Sequence, residues 1–154
     1  MSTESNYAAI VSALGDQLRA FPALSALAVR VEVEQDPMFG LPDDGGRWIV
    51  VESMRRRPSL GQSMAAGTRL RSRFTVVISA AGFDMDSYQA AASKRDDIID
   101  KIELAVMSDR SIGSRVTNLE IMGGEFYRVS QPGNAPPFAA VAETLLEMDV
   151  SAIS

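Results

Sequence analysis

Apolar residues recur along this chain with two different periods, and the switch between them divides it into helices and strands. Tyr7, Val11, Leu14, Leu18 and Phe21 fall three and four apart, which places them on one face of a helix over 4–21. Ser2, Thr3 or Ser5 can accept hydrogen bonds from its free N–H groups, and Pro22 ends it by removing a donor and restricting Phe21. Gly15 inside this helix costs stability that the packing face must offset.

The period then changes to two. Val29, Val31 and Val33 alternate with Arg30, Glu32 and Glu34, predicting a strand over 28–34 with one wet face. Asp36-Pro37 and the Gly40-Leu41-Pro42-Asp43-Asp44-Gly45-Gly46 run predict a loop. A second strand follows over 47–53, with Trp48, Ile49, Val50 and Val51. A third runs over 68–80, with Leu70, Phe74, Val76 and Ile78 on a common side. The fourteen residues between them, 54–67, form either a long loop, which compact domains rarely carry without a use, or the tip of a projecting hairpin.

The strongest helical stripe lies over 86–108: Tyr88, Ala91, Ala92, Arg95, Ile98, Ile99, Ile102, Ala105 and Val106, with Asp84 or Asp86 at its start. Asp97 and Lys101 stand four apart, in the order that favours pairing along a helix. Beyond the turn at Asp109–Gly113, Val116, Leu119, Ile121 and Met122 predict a strand broken by Gly123-Gly124 and resumed at Phe126, Tyr127 and Val129. Pro136-Pro137 fixes a loop before the end of the chain. There Ala139 to Leu146 could be helical, but Thr144, Leu146, Met148, Val150 and Ala152 alternate with Glu147, Asp149 and Ser151, so a strand is the reading taken. Leu145 breaks the alternation. With no internal repeat and no linker, residues 1–154 make one α+β domain. Its two main helices pack on one face of a largely antiparallel sheet, with mixed pairing allowed, and a long loop or hairpin projects at about 54–72.

Composition narrows the chemistry. At 154 residues, 46% hydrophobic and 23% charged, the chain has the make-up of an ordinary globular domain. No run approaches the ~20 apolar residues of a membrane span, and the first residues have no signal-peptide pattern, which predicts a protein made in the cytoplasm. Cysteine and histidine are both absent. That removes disulfides, the usual zinc sites, thiol nucleophiles and any Ser-His or Cys-His relay. Carboxylate or lysine chemistry remains open, yet no carboxylates converge by spacing, so the expectation is a non-enzyme without cofactor or metal.

A net charge of −5 argues against a dedicated nucleic-acid binder. The average hides an asymmetry: Arg55, Arg56, Arg57, Arg69, Arg71 and Arg73 lie between Met54 and Phe74 with no acidic residue among them. Such a cluster suits either a solvated loop or contact with an acidic partner surface, including a copy of the same protein. The Asp84-Met85-Asp86 and Asp96-Asp97 pairs lack the glycine and closing glutamate of a calcium loop; capping at a helix start accounts better for the first. Gly45-Gly46 and Gly123-Gly124 lack the frame of a phosphate loop.

From Asp84 onward the text takes a familiar form. An acidic start leads into a helix reading Ala91-Ala-Ser-Lys-Arg-Asp-Asp-Ile-Ile-Asp-Lys-Ile-Glu-Leu-Ala-Val-Met107. Ser108-Asp-Arg-Ser-Ile-Gly-Ser-Arg-Val116 follows, then a strand, then Phe138-Ala-Ala-Val-Ala142 and an alternating last strand. This resembles the tail terminator, or tail completion, proteins of long-tailed phages, including the minor tail protein U type. The first helix, the strand at Val29 and the long strand from Arg73 stand where that pattern puts them, while 54–67 has no match. The resemblance implies a virion structural protein made in the host cytoplasm. It would form a ring, usually a hexamer, at the head-proximal end of the tail. The ring would stop tube polymerisation and meet the tail tube protein on one side and a head-side connector on the other. DNA would pass only as cargo through the lumen, and no membrane is involved. On this view the six arginines contact a neighbouring subunit or the tube, or line the lumen. The rival readings are another head–tail joining or neck protein and a small-molecule-binding regulatory domain.

Overall fold

The computed structural model describes residues 3–34, 46–58, 71–116, 118–129 and 138–151. In chain order these form α1 (Thr3–Ala20), α2 (Pro22–Ser25), β1 (Arg30–Val33), β2 (Gly46–Pro58), β3 (Arg71–Asp84), α3 (Tyr88–Ser108), β4 (Asn118–Val129) and β5 (Phe138–Ser151). The strands make one open five-stranded sheet in the order β1-β2-β3-β5-β4. β1 runs parallel to β2 and every other pair is antiparallel, so the sheet is mixed. The α+β class and the two helices on one face are as the periodicities predict. Because β3 and β4 both oppose β5, they run parallel to each other, and α3 is the crossover between them.

The helix-covered face holds the larger core. Ile10, Val11, Leu14 and Leu18 of α1 and Ile98, Ile102, Ala105 and Val106 of α3 pack on Val31, Ile49, Val51, Phe74, Val76, Ile78, Leu146 and Met148. Each fully buried leucine or isoleucine contributes about 1.5–3 kcal/mol. Two glycines let the layers approach. A Cβ at Gly15 would stand 2.5 Å from Val33 Cγ2, and one at Gly82 would run into the backbone of α3 at Ala91 and Arg95. The intrinsic cost of Gly15 thus purchases close packing of α1 on β1. Gln17 ties the two long helices together: its Nε2 donates to the carbonyls of Ala105, Val106 and Asp109 at 2.8, 3.3 and 3.2 Å, where α3 leaves them without helical partners.

Several boundaries differ from the sequence expectation. α1 ends at Ala20; Phe21 is extended, as proline favours for the residue before it, and Pro22 opens the short α2. β1 is trimmed to four residues between Ala28 and Glu34, both at positive φ. α3 starts at Tyr88, not Asp86, and its N-cap is Ser87, whose side chain accepts from Ala90 N at 3.1 Å. Asp84 serves one step earlier, accepting from the backbone N–H groups of Asp86 and Ser87 and pairing with Lys94 at 3.2 Å. Asp97 pairs across the layers with Arg47 at 2.9 Å; Lys101 bonds only its backbone carbonyl. Gly123-Gly124 does not break β4, which absorbs the disturbance as a bulge between Ile121 and Gly123. β5 is a strand throughout, with Thr144, Leu146 and Met148 buried on the helix side and Leu145 turned outward.

Candidate interaction surfaces

β2 runs further toward the arginine segment than the hydrophobic pattern suggests, while β3, expected over 68–80, is described from Arg71 and extends at its other end to Asp84. β2 continues to Pro58 and β3 begins at Arg71, with a register shift between Ser53 and Arg55. Arg55, Arg56, Arg57, Arg71 and Arg73 therefore occupy paired strand positions, opposite Thr75, Phe74, Arg73, Ser151 and Asp149 respectively, whether across β2–β3 or β3–β5. Arg69, the rest of 59–70, the 35–45 segment and the 130–137 loop lie outside the described residues. Of the two readings of this segment, a long loop or strands that continue outward, the second holds for 54–58. Arginine does not stop a strand whose partner supplies the ladder.

The register organises charge in rows. Arg57, Arg73, Asp149 and Asn118 stand side by side across four strands, and Arg55, Thr75, Glu147 and Glu120 form the next such row on that face. Arg73 thus has an acid opposite it in its own sheet, and Glu147 and Asp149 both have interaction partners. Arg55, Arg56 and Arg57 lie one strand further out. β1 pairs with β2 only along Trp48–Val51, so among the described residues no strand lies beyond 53–58. Among the described residues, that end of β2, with Arg55, Arg56 and Arg57 in sequence, is a sheet edge.

At the opposite edge of the sheet, α3 and β4 enclose a groove of about 700 Å³, lined by Asp100, Glu103, Leu104, Met107, Arg110, Leu119, Glu120 and Ile121. Its floor is apolar and its helix wall is exposed: Leu104 is 61% and Met107 48% accessible. Met122, the extra residue of the β4 bulge, is 52% accessible beside it. Three carboxylates rim the groove against one cation, and Arg110 turns its Nη2 to the Leu119 carbonyl at 2.7 Å. The groove was not expected from the sequence. Its one signal is that Leu104 and Met107, three apart, fall outside the apolar stripe of α3 that faces the core.

The turn after α3 leads from the helix wall of this groove to β4. Asp109 accepts from the Ser111 hydroxyl at 2.6 Å and from the Ser111 and Gly113 N–H groups, which holds its carboxylate below the ordinary aspartate range. These bonds pin a left-handed run, Ile112, Gly113 and Ser114, that seats the Ile112 side chain in the core. Asp84 is likewise held low, chiefly by the Asp86 backbone N–H, with Ser87 and Lys94 adding to it against partial desolvation.

The helix-free face carries a second core at the far end of the same strands: Trp48, Val50, Ala81, Phe83, Ala139 and Val141. The Trp48 ring lies 6.2 Å from Phe83, and the Arg30 guanidinium sits 5.5 Å above it. Among the described residues no three acidic side chains gather as a metal site, and no helix is long and apolar enough to cross a membrane. No protein-family model matches the chain, and no curated protein sequence matches it significantly.

Proposed function

We propose that the chain is a tail terminator. It is a structural protein that closes into a ring, a hexamer on the family pattern, at the head-proximal end of a phage tail tube. There it stops polymerisation and joins the tail to the head-side connector. One observation carries this reading most: a basic open edge at β2 and an acid-rimmed apolar groove at β4 lie on opposite sides of one sheet. A ring needs such a pair, because head-to-tail closure sets one patch of each copy against a different patch of the next. The absence of histidine and cysteine accords with a protein that works through surfaces.

The sequence resemblance supplies the tail in this reading, and the test therefore addresses the tail. Tube protein encoded by the same particle is polymerised with and without the chain, and tube lengths and ends are measured by electron microscopy. Shortened tubes bearing a ring at one end are expected. An unchanged length distribution with bare ends contradicts the reading. A small-molecule-binding domain would instead show a soluble ligand that raises the melting temperature of the isolated chain.

A further inference from the structure

We propose that the groove between α3 and β4 is the socket for a second copy of this chain, and that the copy enters it with the Arg55–Arg57 stretch of β2. This rests on the ring reading only for the number of copies; the contact itself follows from placement and charge. Asp100, Glu103 and Glu120 rim the groove against a single cation, Arg110, whose Nη2 donates to the Leu119 carbonyl. The socket thus carries an excess of carboxylates, with Leu104 and Met107 on its helix wall and Leu119 and Ile121 on its apolar floor. Arg55, Arg56 and Arg57 are the complement available on the same polypeptide: the register puts Arg56 on the face of Phe74 and Arg55 and Arg57 on the other, so an entering β2 edge brings cations to both sides of the β4 edge.

Topology makes the match possible between copies and impossible within one. The rows set Arg57 level with Asn118, and Arg55 level with Glu120, so socket and plug lie at the same end of the sheet. Three inter-strand steps of about 4.8 Å separate them, roughly 14 Å, with β3 and β5 in between. Each copy can thus give its β2 edge to one neighbour and receive another at β4, which is a heterologous contact that repeats. Within one chain the two sites are too far apart to bond.

The chain has no cysteine, so introduced thiols report this contact cleanly. Chains carrying Leu104→Cys are mixed with chains carrying Arg56→Cys and oxidised. The expected product is a covalent heterodimer, at least about tenfold above the yield when Ser93→Cys, on an exposed part of α3 away from the groove, replaces Leu104→Cys. Adding Glu103→Arg and Glu120→Arg to the socket chain should return the yield to that background. Adding Arg55→Glu and Arg57→Glu to the plug chain should then restore it. A yield no higher than the Ser93→Cys control overturns the proposal, as does trapping that ignores both charge reversals. Absent trapping with tubes still capped would refute this contact and leave the terminator reading standing; trapping without capping would do the reverse.

Discussion

The same strands form both ends of the sheet's helix-free face, yet the two ends differ in kind. At one end the row Trp48, Ala81, Val141, Tyr127 belongs to a region whose described apolar side chains are buried, with Phe83 and Val50 beside Trp48. At the other end the equivalent row reads Arg57, Arg73, Asp149, Asn118. Within nine residues of β2, from Trp48 to Arg57, apolar burial gives way to charge. The apolar end fixes the sheet. Charged pairs that stay near water are worth only about 0–1 kcal/mol, so on the proposed reading the charged end serves recognition more than folding.

Substitutions that abolish this contrast should do so unequally. Trp48→Ala removes the largest side chain of the packed end and should cost about 3–5 kcal/mol, read by urea unfolding; a loss under about 1 kcal/mol would mean that this end is not a core. Gly82→Ala should cost about 3 kcal/mol, because the new methyl meets the backbone of α3 at Ala91 and Arg95 and neither can swing aside. Its effect should appear as a lower melting temperature with the fold retained.

The packed end also shows how far the sequence could be read. The helix-side core was legible because Val11, Leu14 and Leu18, then Phe74, Val76 and Ile78, then Thr144, Leu146 and Met148 each keep the period of their element. The second core was not, because Val50, Ala81, Ala139 and Val141 alternate with residues that are equally apolar or small, and two-sided burial erases the pattern. The extent of β2 past Ser53 stayed open between loop and hairpin for a different reason: a ladder to β3 sets it, not its own residue types. Of the candidate surface, the arginines were visible as composition, but the socket joins α3 to β4 through chain topology that no local spacing encodes. Gln17 illustrates the same limit, since its three acceptors lie about ninety positions away.

Smaller effects sharpen the comparison. Gln17→Ala should destabilise by about 1–2 kcal/mol through the freed carbonyls at the end of α3, measured by thermal unfolding. Asp84 and Asp109 both have folded-state pKa values depressed below their unfolded ones. Their stabilisation is therefore complete above about pH 4 and lost as pH falls through the lower folded values. Melting temperature should hold from about pH 7 to about pH 5 and drop in stronger acid, and Asp109→Asn should flatten part of that drop. Smallest of all on stability should be the joint replacement Arg55→Ser, Arg56→Ser and Arg57→Ser, within about 0.5 kcal/mol, while assembly is lost. Unchanged assembly in that variant would remove the arginines from the interface.

The solution mass of the purified chain by light scattering, alone and with tail tube protein, tests the central claim most directly. A ring-sized particle, or a monomer that becomes one on the tube, is the predicted result. A monomer indifferent to the tube contradicts it, and would return the arginine edge and its socket to being no more than surface.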